Sequence, residues 1–148
     1  MLVYRISKKE FALLDGIGGL YYAGRWHNSG FRVIYTAQYR SLAALEYLVH
    51  LSSSNLLLAN YVVATIFIPD NVSKEIIQPN TVKDLNQTSV TRKLGGDFLK
   101  AGKSLILQVP SAIVPEETNF IINPVHSQMN LCKIVELEAF RFDGRLAK

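Results

Sequence analysis

The sequence has a single cysteine, no long apolar run and no concentrated block of basic residues. Because Cys132 is alone among 148 residues, an intramolecular disulfide is excluded and a reducing compartment is favoured. No stretch approaches the roughly 20 apolar residues of a membrane-spanning helix, and the N-terminal MLVYRISKKEF lacks the apolar run of a signal peptide. These absences predict a cytoplasmic protein with no membrane segment, in which Cys132 is a packed core thiol.

Several common ligand-binding patterns are also missing. The stretch GGDFLKAGKS resembles a phosphate-binding loop, but five residues separate Gly96 from Gly102 where that motif requires four. Three histidines at unrelated spacings and one cysteine predict no metal site. The formal net charge of +4 suits an anionic partner. The basic residues are nevertheless dispersed, so direct binding of nucleic acid is not expected.

The composition instead indicates one globular domain spanning residues 1–148. Apolar residues make up 49% of the chain and charged residues 19%, which is enough apolar material for a real core. A chain of 148 residues is also the usual size of one domain. No internal repeat is visible.

Alternation of apolar and polar residues predicts about six strands and two main helices. The strands are LVYRIS, RVIYTA, LANYVVATIFIPD, SLILQVPSAIVP, TNFIINP and KIVELEAFRFD. The helices are SLAALEYLVHLSS, with Ser41 as N-cap, and TSVTRKLGGDFLKAG, which Gly95 and Gly96 weaken. KKEFALLDGIGG is predicted as a short helical turn that its glycines end. The order predicts an α+β fold with a mixed or antiparallel sheet and flanking helices.

The stretch GRWHNSGFRVIYTA, residues 24–37, places several hydrogen-bond donors ahead of a predicted strand. Arg25 carries a planar fork of donors that suits phosphate, in a glycine-bounded loop where backbone amides can approach a ligand. The alternative is a surface arginine stacked on Trp26.

The helix that follows contains one carboxylate, Glu46, among apolar residues that cover its whole circumference. Such a helix is expected to be buried, so Glu46 must face a cleft or a cation. His50, one turn later, is a candidate partner. The alternative is that Glu46 leans into solvent.

Taken together, these segments resemble the RES-domain family, which is named after an arginine, a glutamate and a serine. The residues that carry the resemblance are YRI, GRWHNSGFRVIYTA, SLAALEYLVHL, LGGDFL and VPSAIVPEETNFIINPVH, in that order along nearly the whole chain. The three name-giving residues correspond to Arg25, Glu46 and Ser111. Ala23 and His27 depart from the glycine and asparagine that are frequent in the family, and His27 leaves the hydrogen bonding of the loop open.

The resemblance implies a toxin of a toxin–antitoxin pair, with a fold similar to ADP-ribosyltransferases, that consumes NAD+ by hydrolysis or phosphorolysis. Glu46 would stabilise the cation that forms when the nicotinamide–ribose bond breaks. Arg25 would hold the pyrophosphate, and Arg5 is a second candidate phosphate contact or part of an ion pair. Tyr35 would stack on or border the nicotinamide. Ser111 would form a hydrogen bond with the nicotinamide or with its ribose.

The implied partner is an Xre-type antitoxin that plugs the cleft, and a homodimer would fit the family. Asn119 and Asn123 are interpreted as structural, although both could line the site, and His126 as structural or exposed. Two other functions stay open. One is transfer of ADP-ribose to a target protein, and the other is a non-enzymatic or RNA-binding module.

Overall fold

A seven-stranded sheet forms the centre of the structure, a computed structural model that describes residues 1–52, 54–56 and 59–147. The strands are β1 Leu2–Lys8, β2 Ile34–Ala37, β3 Tyr61–Phe67, β4 Lys74–Ile76, β5 Ile106–Pro110, β6 Thr118–Ile122 and β7 Lys133–Phe140. Their order across the sheet is β4-β5-β6-β2-β1-β3-β7. All neighbours are antiparallel except β4 and β5. The predicted α+β fold with a mixed sheet is therefore confirmed.

Three helices accompany the sheet: α1 Gly18–Tyr21, α2 Arg40–Leu48 and α3 Thr88–Ala101. Short 3₁₀ turns occupy Lys9–Phe11, Met129–Leu131 and Gly144–Leu146. No helix formed by the described residues is both long and apolar enough to cross a membrane.

Both long helices pack on the same face of the sheet. α2 contributes to a core cluster that includes Ala37, and α3 to one that includes Ile121. Ile121 lies directly opposite Tyr35, and alternate residues of a strand share a face, so Tyr35, Ala37 and Ile121 point the same way. The opposite face is covered by loops and by Met1, and Cys132 lies buried there as predicted. Burial raises the pKa of the Cys132 thiol.

Several sequence predictions were wrong in detail. β4 was missed, because its three exposed residues carry no apolar alternation. α2 begins at Arg40 and ends at Leu48, so Ser41 is not its N-cap, and Tyr39 takes that position without a side-chain bond. α2 is also not buried all round, since Leu45 is 40% exposed. The predicted end of this helix at Ser53 lies outside the described residues.

The glycines before β2 open a helix instead of ending one. The predicted helical turn is reduced to the 3₁₀ turn at Lys9–Phe11, and Gly18 and Gly19 begin α1. Gly19 is required there because a Cβ would lie 2.3 Å from the carbonyl oxygen of Phe31. Close approach between two loops therefore explains this glycine better than helix termination does.

α3 forms in full despite its two central glycines and ends at Gly102, whose φ of 58° suits a left-handed C-cap. A Cβ on Gly95 would lie 1.8 Å from the carbonyl oxygen of Trp26, whereas a Cβ on Gly96 would meet nothing within 4 Å. Gly95 thus permits close packing of α3 on the loop before β2, and Gly96 has no comparable contact.

This contrast gives a paired prediction. Gly96→Ala should raise the free energy of unfolding by about 0.5–1 kcal/mol, because alanine restricts the unfolded chain and favours the helix. Gly95→Ala should lower it by about 1–3 kcal/mol, because α3 or the loop must shift. Urea unfolding followed by circular dichroism measures both, and a change of the same sign in the two variants would contradict the packing described.

Candidate active site

A cleft lies where the two central strands of the sheet separate. β1 and β2 share one directly opposed pair, Tyr4 and Ala37, whereas seven opposed pairs join β1 to β3. Beyond the shared pair the strands diverge around a cleft of about 570 Å³, which the loop before β2 and the helix α2 complete. The side chains that line it include Arg5, Arg25, Tyr35 and Glu46. The fold therefore brings four of the five predicted site residues to one cavity.

A second cavity, of about 810 Å³, lies at the edge of the sheet beside β3 and β7. Its charged lining residues are Lys9 and Arg141, and the rest are mostly apolar. The described lining contains none of the predicted site residues. The cleft between β1 and β2 is therefore the candidate site.

Glu46 is fixed at the cleft through one of its two carboxylate oxygens. Ser111 Oγ donates a hydrogen bond to Oε1 at 2.8 Å, and Asn119 Nδ2 donates to the same atom at 2.6 Å. Ser111 follows β5 and Asn119 belongs to β6, so these bonds join the helix α2 to two other parts of the fold. Within the described ranges, Oε2 accepts no hydrogen bond. The carboxylate is thus oriented through Oε1, and Oε2 has no protein donor among the described residues.

Two backbone amides determine where the Ser111 hydroxyl points. The N–H groups of Ile113 and Val114 both donate to Ser111 Oγ at 3.1 Å, and the residue is 0% exposed. With these donors on its lone pairs, the hydroxyl hydrogen is directed at Glu46. Ser111 is not among the described side chains that line the cleft. The structure therefore places it behind Glu46.

Asn119 lies at the cleft, as one of the two interpretations allowed, and its Nδ2 donates to Glu46 Oε1. Asn119 lies directly opposite Ala37, which is itself opposite Tyr4 at the strand separation. Its position next to the cleft follows from strand pairing, which the sequence alone does not specify.

The remaining polar candidates lie elsewhere or have other partners. Asn123 is 1% exposed and accepts a bond from the Val125 N–H, in agreement with a structural role. His126 accepts from the Gln128 N–H in the loop after β6. His50 lines the cleft but is not the hydrogen-bond partner of Glu46.

Two guanidinium groups reach the cleft without a carboxylate partner. Arg25 Nη1 donates to the carbonyl oxygen of Leu85, and Arg5 Nη1 donates to that of Phe11 at 2.9 Å. Neither forms an ion pair within the part of the chain that the structure describes. Burial lowers the pKa of Arg5, and the Asp15 charge acts in the opposite direction. The planar donor forks of Arg5 and Arg25 suit phosphate, and the carboxylates of Asp15 and Glu46 line the same cleft.

Tyr35 is held by the loop that carries Arg25. The Trp26 N–H donates to the Tyr35 hydroxyl at 3.1 Å, and that hydroxyl lies 2.7 Å from His27 Nδ1. The Gly24 N–H donates to the His27 carbonyl oxygen at 3.0 Å and also lies 3.2 Å from Nδ1. Burial raises the pKa of Tyr35 well above its usual range, so the phenol stays protonated. His27 therefore fixes the loop to β2.

Burial lowers the pKa of His27 below its ordinary value, and the positive charge of Arg92 acts in the same direction. Backbone carbonyl groups of Gly19 and Tyr22 partly offset this effect. The ring is therefore neutral in the folded protein near neutral pH. Within the described residues, no group of three or more histidine, cysteine, aspartate or glutamate side chains could hold a metal ion.

Comparison with known proteins identifies close relatives of the whole chain. The family model described as "RES domain" matches residues 2–143. A Pseudomonas putida protein named Toxin Res is 40% identical over 147 residues, which cover 99% of each chain. A Photorhabdus laumondii protein of the same name is 35% identical over 158 residues, covering 100% of this chain and 98% of its own.

A third relative carries a more specific name. The "Prs ADP-ribosylating toxin" of Sphingobium sp. is 36% identical over 141 residues, covering 91% of this chain and 87% of its own. Among solved structures, the crystal structure of the M. tuberculosis MbcT–MbcA toxin–antitoxin complex contains a similar chain, with a TM-score of 0.79 and 16% identity. The match covers 99% of this chain and 86% of that one, and it shows that the fold is shared.

The buried His27 makes stability depend on pH. Since its folded-state pKa lies below the ordinary 6.5, the unfolded chain binds this proton more readily, and stability is lost as pH falls below about 6.5. Between about pH 7.5 and 5.5, the wild type should lose more stability than His27→Gln, by up to about 1.4 kcal/mol in total. Urea unfolding at both pH values tests this, and equal losses in the two proteins would show that His27 does not titrate differently on folding.

Proposed function

We propose that this chain, which belongs to the RES-domain family, is the toxin of a toxin–antitoxin pair and cleaves NAD+ between nicotinamide and ribose. The observation that carries the proposal is the oriented Glu46 carboxylate in a cleft that also contains two guanidinium groups. Among the described residues, Oε2 of Glu46 accepts no hydrogen bond and neither guanidinium forms an ion pair. Relatives named Toxin Res and a relative named for ADP-ribosylation support it. ADP-ribosylation consumes NAD+, so NAD+ is the substrate proposed here. Residues 1–148 are proposed to act as one RES domain.

Glu46 would act on the ribose carbon that loses nicotinamide. Breaking this bond leaves positive charge on the ribose, as at other glycosidic centres. A carboxylate already held in place stabilises that charge without reorganising during the reaction. Ser111 and Asn119 hold Oε1, so Oε2 would face the ribose. In this proposal Ser111 acts through Glu46, and its predicted direct contact with nicotinamide or ribose is less favoured by its buried position.

The two arginines would bind the pyrophosphate of NAD+. Arg25 and Arg5 both line the cleft, and neither forms an ion pair within the described chain. Their donors would replace the water that otherwise solvates the phosphate oxygens. Their contacts with the Leu85 and Phe11 carbonyl groups leave further N–H groups of each guanidinium for the ligand.

Tyr35 would form the wall of the nicotinamide pocket. Its hydroxyl is already engaged by Trp26 and His27, so the face of the ring is the part that a ligand can contact. A flat aromatic wall suits the flat nicotinamide ring, which leaves as a neutral base. The strand β2 thus carries Tyr35 to the cleft, and the next helix supplies Glu46.

The acceptor that replaces nicotinamide is proposed to be water or inorganic phosphate. Transfer to a protein is the second candidate, because the Sphingobium relative is named an ADP-ribosylating toxin. The cognate antitoxin is proposed to be of the Xre class and to cover the cleft. We further propose a cytoplasmic location and a homodimer, for which the outer edge of β7, with Val135 and Leu137 exposed, is a candidate surface.

Removing the Glu46 charge tests the proposed chemistry. Glu46→Gln keeps the shape of the side chain and should lower the rate constant for nicotinamide release at least about 100-fold. Asn119→Ala removes one of the two bonds that orient the carboxylate, and we expect a smaller loss of about tenfold. Free nicotinamide is measured by chromatography after incubation with NAD+.

Glu116→Gln is the matched control, because Glu116 is an exposed carboxylate in the turn before β6. It should release nicotinamide as the wild type does. Wild-type activity in folded Glu46→Gln would contradict the role given to Glu46. An effect of Glu116→Gln as large as that of Glu46→Gln would show that the loss does not come from the site.

The acceptor is tested separately with NAD+ labelled in its adenylate phosphate. If phosphate is the acceptor, nicotinamide release should depend on added phosphate and yield ADP-ribose 1″-phosphate. If water is the acceptor, release should proceed without phosphate and yield ADP-ribose. A single labelled protein in a cell extract, with little nicotinamide released in its absence, would instead identify a protein acceptor.

A further inference from the structure

The first half of α3 binds the backbone of the loop that carries Arg25. Thr91 Oγ1 donates a hydrogen bond to the Arg25 carbonyl oxygen at 2.5 Å. Arg92 Nε donates to the Gly24 carbonyl oxygen at 2.8 Å. One turn later, Gly95 lets the helix approach the carbonyl oxygen of Trp26. One helix therefore contacts three consecutive peptide carbonyl groups, those of residues 24, 25 and 26.

The hydrogen-bond partner of the Thr91 hydroxyl indicates that the contact between α3 and the loop is specific. A threonine hydroxyl inside a helix ordinarily bonds a carbonyl group one turn earlier in the same helix. Here that distance, from Thr91 Oγ1 to the Thr88 carbonyl oxygen, is 3.4 Å, against 2.5 Å to Arg25. Thr91 is 0% exposed, so its hydroxyl has no access to solvent and depends on the loop.

The Arg25 side chain is tied to the same part of the chain. Its Nη1 donates to the carbonyl oxygen of Leu85, which lies just before α3. The segment from residue 85 to residue 95 therefore holds both the backbone and the guanidinium of Arg25. Neither Thr91 nor Arg92 is among the described residues that line the cleft, so neither is placed to touch a ligand there.

We infer that Thr91 and Arg92 are positioning residues that set the Arg25 guanidinium for binding the pyrophosphate of NAD+. This inference rests on the proposed function of the cleft. The pyrophosphate keeps its charge while the nicotinamide–ribose bond breaks, so Arg25 binds the ground state and the transition state about equally. Loss of such binding raises KM and leaves kcat nearly unchanged.

The test is steady-state kinetics of nicotinamide release by Thr91→Val and Arg92→Gln. Thr91→Val keeps the shape of the side chain and removes the donor, and Arg92→Gln removes the Nε donor. We expect each to raise KM for NAD+ about tenfold with kcat within about twofold of the wild type. Thr91→Ser, which restores the hydroxyl, should recover most of the wild-type KM.

Lys93→Gln is the matched control on the same helix. Lys93 is exposed and pairs with Asp97 on the outer side of α3, so this variant should keep the wild-type KM. A change that merely unfolds part of the protein lowers the active fraction. It therefore lowers the apparent kcat and leaves KM unchanged.

An unchanged KM in Thr91→Val and Arg92→Gln would overturn the inference, whether or not kcat falls. A wild-type protein that leaves NAD+ intact would overturn the proposed function instead. Calorimetric binding of ADP-ribose would then decide the positioning role by itself. An increase of about tenfold in Kd for both variants, with Lys93→Gln unchanged, would support it, and equal Kd values or no binding by the wild type would overturn it.

Discussion

One carboxylate oxygen, Oε1 of Glu46, accepts hydrogen bonds from two parts of the chain that are far apart in sequence. Ser111 and Asn119 lie 65 and 73 residues away, and each is placed by a different segment of the sheet. Hydrogen bonds to a charged group contribute about 1.5–3 kcal/mol each, and an unmet carboxylate beside a mostly apolar helix is unfavourable. The position of α2 on the sheet and the orientation of its one carboxylate therefore depend on each other.

The separation of β1 from β2 provides the space that this carboxylate faces. A continuous sheet would join the backbone groups of Arg5 and Ile6 to β2, and no cleft would remain. The loop before β2 instead lines this cleft and places Arg25 in its wall. A hydrogen bond between His27 and Tyr35 fixes this loop to β2. Hydrogen bonds from α3 to the loop backbone fix it to that helix. The position of the site thus depends on hydrogen bonds from β2 and from α3 to a single loop.

The sequence predicts the strands better than the site contacts, for physical reasons. β3 and β7 are marked by β-branched runs, and α3 by its amphipathic pattern and terminal glycine, all of which are local signals. Arg25, Tyr35 and Glu46 could be named because an arginine in a glycine-bounded loop and a lone carboxylate in an apolar helix are unusual. The contact of Asn119 with Glu46 could not be predicted, since it arises from strand pairing across the sheet.

Prediction from local sequence patterns also fails where a residue contacts a distant part of the chain. Gly95 was interpreted as a weak point of a helix, but its missing side chain permits contact with Trp26. His50 has the right helical spacing to meet Glu46, yet α2 ends at Leu48 and the carboxylate finds its partners on the sheet. Ser111 was named from the family resemblance, and its direction toward Glu46 follows from two amides of the turn after β5.

The most direct test of the account is incubation of the purified chain, free of any antitoxin, with NAD+ and measurement of free nicotinamide by chromatography, with and without phosphate. The oriented Glu46 carboxylate, with Arg25 and Arg5 in the same cleft, predicts release of nicotinamide by the wild-type protein under at least one of these conditions. No release under either condition, from protein shown to be folded by circular dichroism, would contradict the claim that this cleft cleaves NAD+ with water or phosphate as acceptor.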